Sequence, residues 1–324
     1  MDFGGVAYSA AEGCSLENLG YSFIGQGDYL ATFTNLLELA QATTTADIGS
    51  FIMTAYGRHP AVAAREAAKV DEVSGGRVML TIGRGSRSAA LMGRPPIPVA
   101  ESKSYVTCLR ALLRGEAAHW DGHDILPLGA PVSLPVYVSA YGPIVRRMAG
   151  QVADGVVLAA GSSVPQLHSY LADIAEGAHD ADRSADEVDT WLLCRASVRE
   201  KRSDALDDVR GLLAASAYRH LRAPTQMATV PAEFLEPLSE FRKRYDSEGM
   251  EGYQPSWDSP NANLVRELGL DEFLAERFAI VGTPAECRDQ ATALEAAGVN
   301  RIVFAPGARD SDTLYARVAE ALLS

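Results

Sequence analysis

The sequence predicts a (β/α)8 barrel. Eight short β-rich runs alternate along the chain with longer segments of helical periodicity. Most of these runs are continuously apolar, as is typical of parallel strands that are covered on both faces. The 324 residues, 47% of them apolar, can bury one large core, and barrels of this class routinely use such a length in one domain. We therefore expect a single barrel domain over residues 1–324, with a doubly wound open sheet as the alternative.

The predicted strands are 2–9, 21–26, 47–54, 77–83, 135–140, 155–160, 190–198 and 300–306. The helix after the third strand has the clearest boundaries. Pro60 suits a first helical turn, where its missing N–H has no partner to lose, and Gly75 and Gly76 end the pattern. Further helical patterns cover 102–115, 144–153, 164–180, 203–221, 283–298 and 312–323. Strands and helices thus alternate in the order that a barrel requires.

One segment interrupts the alternation. Residues 223–277 form a long, mixed stretch rich in Pro, Gly, Asn and aromatic residues, between the seventh helix and the eighth strand. Barrel enzymes carry their functional groups on the loops that follow the carboxyl ends of the strands. We expect this irregular or helical insertion either to border the ligand cleft or to pack as helices at the periphery.

The charge balance excludes broad classes of partner. The chain has 29 Lys and Arg against 42 Asp and Glu, a net charge of −13, which argues against general affinity for nucleic acid or an anionic membrane. No apolar run approaches the ~20 residues of a membrane span, and the N-terminus does not read as a signal peptide. We expect a cytoplasmic protein that acts on a small-molecule substrate, with a homodimer left open.

A metal site is not predicted. The four cysteines are far apart and lack metal-ligand spacing, so buried free thiols are expected. His119 and His123 are four residues apart, but Gly122 between them disfavours the helix that would align them. His59 precedes a proline at a strand-to-helix connection, where a structural hydrogen bond is favoured over a catalytic role.

The run "IGRGSRS" does not match a nucleotide fingerprint. Gly83 and Gly85 follow a strand, but no third glycine completes G-x-G-x-x-G, and the chain has no GxxxxGK[ST] loop. Two other turns suit an anion better. The Gly142–Pro143 turn begins a helix whose free N–H groups and dipole favour negative charge, and Gly161 and Ser162 leave the next strand.

Charge and chemistry at these turns point to a cofactor. Arg146 and Arg147 follow the first turn closely enough to add positive charge near a bound anion. Few acids and bases, by contrast, follow the predicted strands. A barrel that holds an anion but has few catalytic side chains suits an enzyme whose cofactor supplies the chemistry.

Five segments together resemble the luciferase-like monooxygenase superfamily. They are "ENLGYSFIGQGDY", "GSFIMTAYGRHPAVAAREAAKVDEVSGGRVMLTIGRG", "LLRGE", "PVYVSAYGPIVRRMAGQVADGVVLAAG" and "GTPAECRDQATALEAAGVNRIVF". The resemblance is dense over residues 16–161 and returns over 279–307. It implies a (β/α)8 oxidoreductase that uses a flavin or a deazaflavin.

Within the superfamily, the chain is most similar to the branch that uses coenzyme F420, a deazaflavin that carries hydride. Members of that branch end the second strand in Asp, often followed by His, whereas flavin-using luciferases tend to place a Glu-His pair there. This chain has Asp28 and Tyr29, which implies that Asp28 contacts the deazaflavin or the substrate and that Tyr29 acts as a phenol donor. Hydride would pass between C5 of F420 and a small organic substrate. The alternatives are an FMNH2-dependent monooxygenase and a non-catalytic member that binds a ligand or partner.

The resemblance also implies the remaining site residues. A non-prolyl cis peptide bond against the deazaflavin falls on Ser50–Phe51. The cofactor-binding positions include Asp28, Ser50, Phe51, Thr54, Gly83 and Ala140. The family's phosphate-binding turns match Tyr141, Gly142, Pro143, Gly161 and Ser162, which complete the set. Arg84, Arg87 or Arg146 is expected to attract the anionic tail of the cofactor or an acidic substrate.

Two specialised activities are not expected. Ser86 occupies the position where F420-dependent glucose-6-phosphate dehydrogenases carry a catalytic Glu, and it is the third candidate catalytic residue. Pterin-reducing relatives usually carry a Glu on the first strand, where this chain has "FGGVAYS".

Overall fold

A computed structural model describes residues 1–27, 31–127, 129–159, 161–221, 224–246, 258–305 and 311–323. Its strands are β1 (Asp2–Ala7), β2 (Phe23–Gln26), β3 (Asp47–Thr54), β4 (Val78–Gly83), β5 (Ala118–Trp120), β6 (His123–Ile125), β7 (Val136–Ala140), β8 (Gly155–Leu158), β9 (Asp189–Val198), β10 (Ala279–Gly282) and β11 (Arg301–Phe304). All eight predicted strands are present, with small differences at their ends.

Eight of these strands close into a barrel. The order is β9-β11-β1-β2-β3-β4-β7-β8, and β8 pairs in turn with β9. Neighbouring strands pair in parallel along β1-β2-β3-β4-β7-β8, for example Ile24 with Ile48 and Ile82 with Val138. The predicted (β/α)8 barrel is therefore confirmed, and the open sheet is excluded.

The helices follow the strands in alternation. They are α1 (Ala10–Asn18), α2 (Thr32–Ala42), α3 (Pro60–Ser74), α4 (Ser86–Leu91), α5 (Val99–Leu113), α6 (Pro143–Val152), α7 (Val164–Asp180), α8 (Arg202–His220), α9 (Pro224–Met227), α10 (Ala232–Arg244), α11 (Pro260–Glu267), α12 (Asp271–Phe278), α13 (Pro284–Ala296) and α14 (Ser311–Leu322). As predicted, α3 begins at Pro60 and ends at Gly75 in the left-handed conformation. None of the described helices combines the length and apolar character needed to cross a membrane.

The chain divides into two compact units. The first comprises residues 1–159, 168–192 and 300–303 and includes strand residues of the whole ring. Aromatic rings fill the barrel interior, where Phe23 packs edge-on against Trp191 with ring centroids 4.7 Å apart. Gly25 makes room for the neighbouring Phe51, because a Cβ at Gly25 would lie 2.8 Å from Cβ of Phe51.

The second unit comprises residues 160–167, 193–299 and 304–324. In it the carboxyl half of β9 pairs in parallel with β10, a strand that the sequence analysis missed. The described part of the 223–277 insertion forms helices α9 to α12. Leu238, Phe241, Leu264 and Leu274 from these helices share a buried apolar cluster with Leu213 of α8. Residues 247–257 of the insertion lie outside the described residues.

The "HWDGH" segment is a β-hairpin, not a helix. Asp121 and Gly122 form its turn with positive φ angles, and β5 and β6 pair in antiparallel fashion. The ring nitrogen Nδ1 of His119 lies 2.9 Å from Asp124 Oδ1. All four cysteines are free, and three of them are buried, as expected.

Candidate active site

The carboxyl end of β2 leads into the predicted catalytic pair. Asp28 and Tyr29 themselves lie outside the described residues. The residue before them, Gly27, donates its N–H to Ala7 O and lies against the ring of Tyr8, because a Cβ there would be 2.5 Å from Tyr8 Cε1. Tyr8 follows β1 and is 56% exposed. Tyr8 has no role in the sequence prediction, because the first strand is predicted over 2–9 and ends two residues earlier in the structure.

Ser50 on β3 makes its hydrogen bonds to the neighbouring strand. Its buried hydroxyl donates to Thr81 O at 3.1 Å and accepts the Thr81 N–H at 2.9 Å. The register between β3 and β4 shifts between Ser50 and Met53, so the side chain supplies bonds that the ladder omits. Ser50 therefore holds β3 against β4, and its hydroxyl is engaged by backbone.

The cis peptide bond lies one residue later than expected. It joins Phe51 to Ile52, not Ser50 to Phe51. The regular ladder with β4 ends at Ser50 and resumes at Met53, so the irregular backbone falls on the two residues between. Phe51 is 6% exposed and packs against Phe23.

The exit from β4 depends on two glycines. A Cβ at Gly83 would lie 2.8 Å from Ile52 Cγ2. Gly85 has φ +75°, and a Cβ there would collide with Thr54 Oγ1. Ser86 then begins α4, and its side chain lies outside what the structure describes. Both glycines in "IGRGSRS" are thus required by close packing against β3.

The turn after β7 is open and carries no capping side chain. Gly142 is the extended N-cap residue of α6, with Pro143 at the first helical position. The first N–H groups of a helix have no partner within it, and nothing lies within 4 Å of a Cβ built on Gly142. Ala140 is fully buried, and Tyr141 is 46% exposed. This arrangement can accept an anion at the start of α6.

Arg146 and Arg147 are engaged in ion pairs. Arg146 is 2% exposed and pairs with Asp173, with Nη2 2.7 Å from Oδ2. Arg147 pairs with Glu176 and Asp180 on the same helix, α7. The expectation that these two guanidinium groups add free positive charge near the turn is therefore wrong, because carboxylates of α7 neutralise both.

Gly161 and Ser162 belong to the second unit. Ser162 donates its N–H to Arg277 O at 2.9 Å, and Gly161 has φ +123° against the same carbonyl. The Ser162 hydroxyl is buried, with no hydrogen-bond partner among the residues that the structure describes. Ser162 thus offers an unused donor and acceptor.

Strands of the first unit carry three more buried hydroxyls that have no hydrogen-bond partner among the described residues: Thr54 Oγ1, Thr81 Oγ1 and Ser139 Oγ. A fourth, Tyr105 Oη, lies on α5. The three strand hydroxyls belong to the carboxyl halves of β3, β4 and β7. Buried polar groups are normally satisfied, so a set without partners at this end fits a polar ligand that bonds to them. The sequence analysis named Thr54 but missed Thr81 and Ser139, whose lack of partners only the packing reveals.

Two further observations concern metal-ligand side chains and His59. Within the described ranges, no three His, Cys, Asp or Glu side chains are grouped so as to hold a metal ion. His59 caps α3, where its Nδ1 accepts the N–H of Ala61 at 3.2 Å. This hydrogen bond is the structural role that the sequence favoured for His59 over a catalytic one.

Comparison with known proteins identifies related sequences over most of the chain. A family model described as luciferase-like monooxygenase matches residues 10–301. The 5,10-methylenetetrahydromethanopterin reductase of Methanolobus tindarius is 26% identical, over 84% of this chain and 80% of that protein. The F420-dependent glucose-6-phosphate dehydrogenase of Rhodococcus erythropolis is 25% identical, over 84% of this chain and 76% of that protein.

A solved structure shares the fold. The coenzyme F420 dependent tetrahydromethanopterin reductase from Methanopyrus kandleri superimposes with a TM-score of 0.78. The alignment covers 99% of this chain and 98% of that chain, at 20% sequence identity. At this identity the likeness establishes the fold alone.

Proposed function

Because the chain belongs to the luciferase-like monooxygenase family, we propose that it is a coenzyme F420-dependent oxidoreductase acting on a small organic substrate. The observation that carries the proposal is that relatives aligned over more than four-fifths of the chain include enzymes named for F420. When bound, F420 supplies hydride transfer at C5 of its deazaflavin ring.

The residues of the first unit fit such a cofactor. The hydroxyls of Thr54, Thr81 and Ser139 would bond to the polar edge of the ring, since none of the described residues bonds to these hydroxyls. Gly83 is a proposed cofactor-binding residue at the end of β4, where a side chain would collide with Ile52. The N–H of Gly142, at the start of α6, would hold the phosphate. Gly161 and Ser162 remain proposed cofactor-binding residues on the second unit.

The proposed catalytic residues are Asp28, Tyr29 and Ser86. Asp28 would hold the deazaflavin or the substrate, and Tyr29 would donate a proton from its phenol. Ser86 stands where relatives of the dehydrogenase type carry a carboxylate, so a different substrate from theirs is proposed. The barrel would also exclude water from the site, because hydride transfer requires that solvent be kept away from the reacting atoms.

Equilibrium binding to the purified apoprotein tests the function. F420, FMN and FAD are titrated separately, and the reduced form of the tightest ligand is then used for anaerobic turnover with candidate substrates. We expect F420 to bind most tightly and to be oxidised or reduced without oxygen. Tight FMN binding without F420 affinity would indicate the flavin-dependent monooxygenase instead. Failure of all three to bind would indicate a non-catalytic member.

Two parts of the proposal concern the surroundings of the protein. We propose that it acts in the cytoplasm, in keeping with its net charge of −13 and its free thiols. A homodimer is proposed as the oligomeric state. Light scattering coupled to gel filtration measures the mass directly, and a monomer at micromolar concentration would contradict that part.

A further inference from the structure

Arg146 occupies an unusual position for a cation, at the first turn of a helix and 2% exposed. We propose that it is a positioning residue: through its pairing with Asp173 it sets the conformation of the Tyr141–Gly142 turn and thereby the affinity for the phosphate of the cofactor. This inference rests on the proposed function, because it takes that phosphate as the ligand of the turn.

The guanidinium is held on two sides by α7. Its Nε donates to Asp173 Oδ2 at 2.8 Å and its Nη2 lies 2.7 Å from the same oxygen. Its plane lies over the ring of Tyr170, with Cζ 4.1 Å from the centroid. Ion pairing and stacking together fix the orientation of a planar, rigid group. The position of the remaining arm therefore follows from α7.

That arm reaches the turn itself. Nη1 of Arg146 donates to Tyr141 O at 2.5 Å. The Tyr141 carbonyl and the Gly142 N–H belong to one peptide unit, and in a trans peptide they point in opposite directions. A carbonyl held toward the Arg146 guanidinium therefore directs the Gly142 N–H away from that guanidinium. This N–H is the donor proposed for the phosphate, and open space surrounds Gly142.

Direct attraction of the phosphate does not explain Arg146. The group is buried, and its charge is neutralised by Asp173. Arg147 provides a comparison within the same helix. It links α6 to α7 through Glu176 and Asp180, but its side chain is 45% exposed and these ion pairs do not involve the Tyr141–Gly142 turn. Arg147 is therefore a matched control for a link that is only structural.

The test compares two ligands that differ in the phosphate. F420 and its phosphate-free deazaflavin nucleoside are titrated against the wild type, Arg146→Lys, Asp173→Asn and Arg147→Met. Arg146→Lys keeps the charge but not the planar fork, and Asp173→Asn loosens its orientation. We expect both to lower the ratio of F420 affinity to nucleoside affinity about tenfold, the value of one hydrogen bond to an anion. Arg147→Met should leave the ratio unchanged.

The outcomes separate the inference from the proposed function. An unchanged ratio in Arg146→Lys and Asp173→Asn, or an equal loss of affinity for both ligands, would overturn the positioning role. A wild type that binds both ligands equally would also overturn it. If one variant does not fold, the other carries the comparison. A wild type that binds neither ligand rejects the proposed function, and the inference with it.

Discussion

The polar side chains at the two ends of the barrel differ in whether they have partners within the described residues. At the amino end, the Asp189 carboxylate accepts hydrogen bonds from Tyr137 Oη at 2.6 Å and from Trp191 Nε1 at 2.9 Å. Arg301 pairs with the same carboxylate and lies over the Trp191 ring. At the carboxyl end, the buried hydroxyls of Thr54, Thr81 and Ser139 have no partner in the part of the chain that the structure describes.

This difference separates stability from function. A buried hydroxyl without a partner costs about 1–3 kcal/mol. Tyr105 Oη on α5 is also buried without a partner, but the strand hydroxyls of this kind among the described residues lie at the carboxyl end, where a ligand can supply the missing bonds. Barrel enzymes in general place their sites at the carboxyl end and use the amino end for stability. The following substitutions test whether the amino end of this barrel contributes to stability without affecting cofactor binding at the carboxyl end.

The largest expected effect is at the Gly142 turn. Gly142→Asp should lower F420 affinity on the order of 100-fold, because its carboxylate would face the phosphate. Folding should be unaffected, since a Cβ at Gly142 meets no atom within 4 Å. Gly142→Asn is the control of equal size without charge, and it should retain most of the affinity. Equal losses in both variants, measured by fluorescence titration, would refute a phosphate at this turn.

Removing the charge at the amino end should affect stability alone. Asp189→Asn removes one of the two carboxylates that pair with Arg301, the other being Asp2, and weakens the bonds from Tyr137 and Trp191. We expect the free energy of unfolding to fall by about 2 kcal/mol, allowing for partial solvent exposure. F420 affinity should not change. Asp124→Asn, on the exposed hairpin, should leave both quantities as they are. Urea denaturation measures the first quantity, and a matching drop in F420 affinity in folded Asp189→Asn would break the separation of the two ends.

Two isosteric threonine changes should have opposite effects on stability. Thr81→Val removes a hydroxyl that lacks a partner, so the apoprotein should gain up to about 1 kcal/mol while F420 affinity falls several-fold. Thr43→Val removes a hydroxyl that donates to Leu39 O and accepts from Arg77 Nη1, so it should cost about 1 kcal/mol and leave binding unchanged. Thermal unfolding with and without F420 distinguishes them. If both variants destabilise the apoprotein equally, the result would contradict a ligand-binding role for the Thr81 hydroxyl.

The smallest effect concerns Glu17, near the end of α1, which binds the turn before β3. Its carboxylate accepts the N–H groups of Thr44, Thr45 and Ala46. Partial burial raises the pKa of Glu17, but these bonds outweigh it and the pKa falls from 4.5 to about 2. A lowered pKa stabilises the fold above the unfolded value, and that contribution is lost as pH falls from about 4.5 toward 2.

Glu17→Gln should therefore be less stable than the wild type near neutral pH, by less than about 1 kcal/mol for so exposed a group. The difference should shrink over the acidic window, as measured by urea denaturation at several pH values. Glu72→Gln, on the exposed face of α3, is the control and should show no such trend. A difference that grows as the pH falls would contradict the assignment.

Local sequence determined the elements with strong boundaries. The eight strands were predictable because each is a short apolar run covered on both faces, and α3 because Pro60 and Gly75 mark its ends. The short strand β10 was missed, since its "AIVG" sequence forms a strand only where the carboxyl half of β9 offers a partner. The position of the cis bond was off by one residue, because the register shift between β3 and β4 is not visible in β3 alone.

The sequence by itself determined the alternation of strands and helices, the glycine turns at Gly83 and Gly142, and the family resemblance. These follow from local conformational preferences and from residues adjacent in the chain. Only the tertiary structure decided where polar side chains find their partners. Arg146 faces Asp173 and Tyr141 instead of an anion, and Thr81 and Ser139 face none of the described polar groups. Hydrogen bonds between distant segments depend on how helices and strands pack, and no local pattern records that.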